Sequence, residues 1–407
     1  MNPTPPRTAS ASSPGLGAAA SAPLRVRLFG RTDVGQVREH NEDNFIIADL
    51  STRNRALPES ERTMLGVGPR GTLFAVCDGM GGAAAGEVAS QLAVDILYER
   101  MIEGDAPKDH DELARRLVRA IESAGARIYQ EAKADRTRRG MGTTSTVAAL
   151  VNEHLFLGQV GDSRGYILRG DRFVQVTRDQ SLVNQLIEAG QLTEEEAETF
   201  EHNNIILQAL GTSDTVQVDL TFVELQRGDV LLLCSDGLSG MVRHEEMRDV
   251  LRAYEDPFEA CQVLTDRANQ AGGHDNITCI VARFEGETLR APGGEGDELR
   301  YRKYSLPEEP LDNGATQRIV FHPLTVERST DHGPSASKVA DTMLHLNVAD
   351  FAEQLREAAS AGSPNRPARR EDDPVDLPLA STPPWLVGLF VAFALGFVAF
   401  MGFYLLR

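Results

Sequence analysis

"FAVCDGMGG", residues 74–82, carries an apolar, strand-like run onto an aspartate and then into glycines. A half-buried strand gains nothing by ending on a carboxylate. Asp78 therefore either closes a turn, Asp-Gly being a common hairpin dipeptide, or is there to hold something. The rest of the chain repeats the pattern. "LLLCSDGLSG" ends a second apolar run on Asp236-Gly237, and "HNEDNFIIAD" places Asp43 two residues ahead of a third. "GGHDNITCIVARF" sets Asp275 just before the last strand-like run, and "LGQVGDSRGYIL" puts Asp162 at a strand-to-strand turn. Each aspartate taken alone reads as a turn residue or a cap. Five at the ends of apolar segments suggest that packed strands gather them on one rim. Carboxylates at a buried edge repel one another unless a cation or a proton intervenes. Oxygen ligands without His or Cys favour hard ions, Mg²⁺ or Mn²⁺, over zinc.

Around these ends, residues 25–286 read as one α+β domain. Strand-like runs occur at 45–49, 72–78, 145–151, 154–161, 165–177, 215–225, 229–235 and 277–284, many joined by short Gly- or Asp-containing turns. Such turns are what an antiparallel sheet requires. Helical spacing marks about 84–102, where Val88, Leu92 and Ile96 share a stripe beside Ala89, Ala93 and Leu97. It also marks about 109–134, and about 256–271 with Phe258, Cys261, Leu264 and Ala268. Strands cluster and helices cluster, which excludes the strict alternation of a doubly wound fold and suits sheets covered by helix pairs. Residues 179–211 form a polar, helix-rich insertion between strands, either a border of an active site or an inert excursion.

Composition narrows the function. A net charge of −19, from 41 Lys+Arg against 60 Asp+Glu, and the lack of a basic stripe exclude nucleic acid as a partner. Cys77, Cys234, Cys261 and Cys279 lie in apolar surroundings with no CxxC pair, which fits reduced, buried thiols. Residues 1–24 read as a disordered arm rich in Pro, Ala, Ser and Gly. Residues 287–384 have linker composition, with 11 of the 20 prolines between Pro292 and Pro384. Within them, 337–358 carries Val339, Met343, Phe351 and Leu355 at multiples of four, either a docking helix or a transient amphipathic one. From Trp385 to Leu406 the chain runs 22 residues without a charge. As a helix this covers about 33 Å, the depth of a bilayer core, and reads as a transmembrane segment rather than a buried soluble helix. Arg366, Arg369 and Arg370 precede it and only Arg407 follows, which places the domain on the cytoplasmic side of the cell membrane.

The motifs "RTDVGQVREHNEDNF", "FAVCDGMGG", "GMGTTST", "VGDSRGYIL", "TRDQSLVNQLIEAGQLTEEEA", "LLLCSDGL" and "GHDNIT" occur in an order that resembles the metal-dependent Ser/Thr protein phosphatases, the PPM or type 2C family, over about residues 27–284. The resemblance implies an α-β-β-α sandwich, two antiparallel sheets flanked by helix pairs, with a metal centre at one end. It implies two Mn²⁺ or Mg²⁺ ions and a third, weaker one. Asp43, Asp78, the Gly79 carbonyl, Asp236 and Asp275 would serve the pair, with Asp78 bridging, and Asp162 the extra ion. Arg38 would hold the substrate phosphate, Glu42 would contact a water on the metals, and 179–211 would be the flap beside the substrate groove. A guanidinium fork matches phosphate oxygens in a way a lysine cannot. One departure stands out: Met80 occupies the place of a histidine proposed in eukaryotic members as general acid, and Met cannot donate a proton. Bacterial relatives commonly share that Met; the acid is left unassigned, with water on a metal ion as the candidate. The expected substrates are phosphoserine and phosphothreonine proteins, with membrane Ser/Thr kinases and their targets as partners. The competing reading is an idle, membrane-anchored phosphoprotein adaptor, against which the intact set of aspartates argues.

Overall fold

Along Thr72–Cys77 successive side chains enter different cores. Leu73, Ala75 and Cys77 pack toward helices, whereas Phe74 and Val76 pack toward a second sheet. A strand covered on both faces has no polar side to show, which is why the run reads as continuously apolar. The computed structural model describes residues 24–56, 63–81, 85–198, 200, 204–293 and 298–306.

In chain order the strands are β1 (Arg25–Asp33), β2 (Asn44–Asp49), β3 (Asn54–Ala56), β4 (Thr63–Gly66), β5 (Thr72–Cys77), β6 (Gly79–Met80), β7 (Gly142–Thr143) and β8 (Ser145–Val151). They continue with β9 (His154–Val160), β10 (Arg164–Arg169), β11 (Arg172–Gln175), β12 (Asp219–Glu224), β13 (Val230–Cys234), β14 (Ile277–Glu285) and β15 (Tyr301–Lys303). One antiparallel sheet has the order β11-β10-β13-β14-β1-β4, the other β15-β12-β9-β8-β5-β2-β3, and β6 and β7 form a short ribbon. Helices α1 (Ala85–Ile102) and α2 (His110–Ala134) cover the second sheet. Helices α6 (His244–Ala253) and α7 (Pro257–Gln270) cover the first, with the short α5 (Asp236–Ser239) between β13 and α6. Apolar clusters fill the two helix–sheet layers and the space between the sheets, so the expected α-β-β-α layering is present.

Local chemistry explains the helix boundaries. Asp109 caps α2 by accepting from the Glu112 N–H, and Asp256 caps α7 ahead of Pro257 at its first turn. On α1 the small side of the stripe, Ala89, Ala93 and Leu97, is fully buried, while Val88, Leu92 and Ile96 flank it. All four cysteines are free and buried.

Besides the short strands β3, β4, β6 and β7 and the one-turn α5, three elements fall outside the sequence expectation. β1 was hidden by Arg25, Arg27 and Arg31, which leave Val26, Leu28 and Phe29 to pack inward; Arg27 pairs with Glu285 on the neighbouring β14. α6 buries only Met247, Val250 and Leu251. The structured chain also continues past 286, because β15 adds to the edge of β12, inside the segment read as linker. The insertion at 179–211 carries α3 (Leu182–Glu188) and α4 (Glu194–Glu198). The N-terminal arm through residue 23, the helix expected at 337–358 and the apolar segment 385–406 lie outside the described residues. Among the described residues no helix is long and apolar enough to cross a membrane.

Candidate active site

Strand register gathers the aspartates. Asn44 lies opposite Cys77 across β2 and β5, so Asp43 and Asp78 leave the same end of one sheet. Cys234 lies opposite Cys279 across β13 and β14, so Asp236 and Asp275 leave the corresponding end of the other. Asp162 occupies the turn between β9 and β10, the crossing from one sheet to the other; Arg164, two residues on, faces Cys234. Asp78 feels the charges of Asp43, Asp236, Asp162 and Asp275.

The two Asp-Gly pairs are not hairpin turns. A Cβ on Gly79 would lie 2.3 Å from the Gly86 carbonyl oxygen and 2.4 Å from that of Glu42, and one on Gly237 would lie 2.1 Å from the Asn276 carbonyl oxygen. Each glycine lets a neighbouring backbone press against the strand end. The Asp78 backbone is fixed on both sides. Its carbonyl accepts from the Thr144 N–H and Thr143 Oγ1, both at 2.8 Å, and its N–H donates to Thr144 Oγ1 at 3.0 Å. Thr144 Oγ1 lies 2.8 Å from Ser163 Oγ, tying this strand end to the Asp162 turn.

The electrostatics are those of crowded anions. Burial pushes the Asp43 carboxyl up to about 7, with Asp236 and Asp275 adding to the rise. Burial, then Asp236 and Asp179, raise Asp162 to about 7. Asp78 is held well above the usual carboxylate range by burial and the same neighbours, and Asp236 is raised by burial and Asp275. Burial also raises Glu42, although the Gly86 backbone N–H hydrogen-bonds to its carboxylate. Asp43 Oδ1, Asp162 Oδ1 and Asp236 Oδ1 are buried and receive no hydrogen bond. Carboxylate oxygens taken from water without a donor call for a cation or a proton, and an all-oxygen set suits Mg²⁺ or Mn²⁺. The residues present therefore fit a hard divalent ion. Among the described residues no three acidic, His or Cys side chains are by themselves arranged to hold one ion. Part of the shell would fall to backbone carbonyls and water, as such ions accept.

Arg38 lies on the loop between β1 and β2, half-exposed, with Nη2 2.8 Å from Asp275 Oδ2. Its partner is thus a site aspartate rather than a nearby surface glutamate. Met80 pairs with Gly142 across the β6–β7 ribbon. The insertion is hung from the Asp162 turn. The Gln180 N–H donates to the Gly161 carbonyl at 2.9 Å, Gln180 Oε1 accepts from the Gly161 N–H at 3.0 Å, and the Leu207 N–H donates to the Gln180 carbonyl at 2.8 Å.

Three positioning residues escaped the sequence reading. Asn276 is a buried hub: Oδ1 accepts from the Glu42 N–H at 2.8 Å, and Nδ2 donates to the Val34 and His40 carbonyls, each at 2.9 Å. Ser235 Oγ donates to Asp43 Oδ2 at 2.8 Å and accepts from the Thr278 N–H at 3.0 Å. Thr144 is the third. All three lie inside quoted motifs; Asn276 and Ser235 stand next to aspartates that drew attention, whereas Thr144 has no charged neighbour and no local signal.

Comparison with known proteins gives a concordant picture. The family model described as Protein phosphatase 2C matches residues 51–271. The serine/threonine phosphatase stp of Listeria innocua is 36% identical over 251 residues, 62% of this chain and 93% of that protein. The crystal structure of the Mycobacterium tuberculosis serine/threonine phosphatase PstP/Ppp superposes with a TM-score of 0.55 at 35% identity, covering 64% of this chain and 99% of that one. The catalytic domain of PstP in complex with two manganese ions gives a TM-score of 0.54 at 34% identity, with coverage of 64% and 99%.

Proposed function

The chain belongs to the protein phosphatase 2C family and is a protein-serine/threonine phosphatase, and from that premise we propose that it hydrolyses phosphoserine and phosphothreonine on proteins at a membrane surface, using two divalent ions and a third at Asp162. The observation that carries the ion assignment is the set of three buried, donor-less carboxylate oxygens on Asp43, Asp162 and Asp236, arranged around Asp78. Members of this family use Mn²⁺ or Mg²⁺, and the two manganese ions of the PstP complex support a pair here.

In this reading Asp43, Asp78, the Gly79 carbonyl, Asp236 and Asp275 hold the pair, and Asp162 the third ion. Bound divalent ions supply positive charge that draws electron density from the phosphoryl group and lowers the pKa of water. The residues of the chain do the rest. Arg38 presents a planar fork to two phosphate oxygens, and its bond to Asp275 fixes the orientation of that fork. Glu42, bonded to the Gly86 N–H, holds a carboxylate at the edge of the site where a water can donate to it. Met80, whose thioether carries no titratable proton, moves none. The Asn276 bonds keep the 34–42 segment, and so Arg38 and Glu42, in register with Asp275.

Tethering rests on the uncharged stretch 385–406 and the arginines ahead of it. The residues between the domain and 385 would link it to the membrane surface. Membrane Ser/Thr kinases and their targets are the natural counterparts. The test is turnover of p-nitrophenyl phosphate and a phosphothreonine peptide with and without Mn²⁺, beside fractionation of the full chain and of a truncation before Pro383. No Mn²⁺-dependent turnover overturns the chemistry. Recovery of the full chain wholly in the soluble fraction overturns the tether.

A further inference from the structure

The strand that holds the Asp78 carbonyl begins in a cluster of cations. Lys133, Arg136, Arg138 and Arg139 stand against Asp135 alone within 133–139, in a chain whose net charge is −19. Their arrangement is fixed. A 3₁₀ turn, Arg136–Arg138, is capped by the Asp135 side chain accepting from the Thr137 N–H. A second turn follows, with the Met141 N–H donating to the Arg138 carbonyl at 3.1 Å. In it Arg139 has φ −64° and ψ 127°, and Gly140 has φ 81°. These are the angles of a type II turn, whose third residue needs a positive φ and is best served by glycine. Arg139 therefore projects from the corner of a rigid turn. Arg138 points back to Glu131 and Asp135. Arg136 and Arg139 are exposed, and neither has a carboxylate within ion-pair distance among the described residues.

The turn feeds directly into β7, where Gly142 faces Met80 and Thr143 faces Gly79. Arg139 is three residues before Gly142, and Met80 two residues after Asp78. Five steps of about 3.3 Å along the chain and one cross-strand step of about 5 Å put Arg139 at most about 22 Å from Asp78, and the turn shortens that path. A phosphopeptide with its phosphate at the aspartates would place at this lip a residue about three to six positions away, at about 3.3–3.6 Å per residue.

We propose that Arg136 and Arg139 form a cationic lip that recognises a second anionic group of the phosphoprotein substrate, a carboxylate or another phosphate, about four residues from the one removed. The proposal rests on the phosphatase reading above and assigns its substrate class: acidic or multiply phosphorylated segments. Its chemistry is charge-assisted pairing by guanidinium groups that have no carboxylate partner among the described residues, on an enzyme whose overall charge repels such substrates.

The test uses the full chain with Mn²⁺ and a neutral peptide containing one phosphothreonine. Versions carry a glutamate, or a non-hydrolysable phosphonate, four residues before or after it. The parent should favour an anionic peptide by about three- to tenfold in kcat/KM, mainly through KM. The double variant Arg136→Ala/Arg139→Ala should reduce that preference below about twofold, and Arg139→Glu should reverse it. Turnover of p-nitrophenyl phosphate should be unchanged in every variant. A response to glutamate and phosphonate alike marks general anion recognition, and a response to phosphonate alone marks recognition of multiply phosphorylated segments; either supports the lip. Equal rates on neutral and anionic peptides in the parent, or a preference that persists in the double variant, overturns it. Loss of all Mn²⁺-dependent turnover in the parent would instead overturn the phosphatase reading.

Discussion

Replacing Asp43 with Asn in protein stripped of divalent ions should stabilise the fold at alkaline pH, although the side chain is buried and hydrogen-bonded. The Asp43 carboxyl sits near 7 against an ordinary 3.8, chiefly because it is buried. A carboxyl raised on folding binds its proton more tightly in the native state, so its contribution falls as pH climbs from 3.8 through 7. At about 1.4 kcal/mol per pKa unit, holding Asp43 ionised in the fold at pH 8 costs about 4 kcal/mol; at pH 5 the cost is under about 2, and it vanishes below the ordinary carboxyl range. Asn has nearly the same shape, keeps an acceptor for Ser235 Oγ, and carries no charge. For a domain of this size the gain at pH 8 is on the order of 10 °C in Tm. Calorimetry in chelator at pH 8, 6.5 and 5 reads it directly, and Mn²⁺ should invert the order, since ion binding raises Tm in the parent far more than in the variant. A variant less stable than the parent at pH 8 in chelator, or a difference that does not change with pH, would refute the account of crowded anions.

Asp78→Asn and Asp236→Asn should each lower kcat by two or more orders of magnitude while circular dichroism is retained, since each removes a charge at nearly constant shape. Arg38→Ala should raise KM for phosphopeptides, and Arg38→Lys should recover only part, because a point charge cannot reproduce the fork; parent-like kinetics in both would remove Arg38 from the phosphate site. Asn276→Ala deletes three buried hydrogen bonds. It should cost about 2–4 kcal/mol in urea unfolding and raise KM through a loosened 34–42 segment. Truncation before Pro383 should leave turnover of p-nitrophenyl phosphate unchanged and slow action on membrane-bound phosphoproteins, which a liposome-reconstituted substrate would measure.

The aspartates were legible because each ends a segment whose apolar run is unmistakable, and antiparallel register does the remaining work of bringing strand ends together. The long helices were legible for a similar reason: α1 and α2 each repeat a buried stripe over many turns. What escaped depends on distant partners. The role of Gly237 is set by the Asn276 carbonyl, 39 residues on, and nothing near Gly237 announces it. Asn276 itself looks like an ordinary turn residue until Val34, His40 and Glu42 are folded around it. β1 was obscured because its arginines, partly exposed along the strand, interrupt the pattern that its buried residues make. β15 has only three exposed residues, and its existence follows from the free edge of β12 rather than from its own composition. The tight contacts at the site are tertiary, and local patterning carries no record of them.

Asp43 and Asp78 belong to one leaf of the sandwich, Asp236 and Asp275 to the other, and Asp162 to the hinge between them. Mechanically, the sandwich of the described domain resembles a book whose pages are glued along the middle by Phe74, Val76, Leu231 and Ile280 and pushed apart by like charges at one end. An ion bound among those charges would act as a clasp across the two leaves. Hydrogen exchange at that end, in the backbone amides of β2, β5, β13 and β14 nearest the aspartates, should therefore slow on ion binding more than exchange at the opposite end. The opening of the molecule would then be governed by the supply of a small inorganic ion as much as by the residues that surround it.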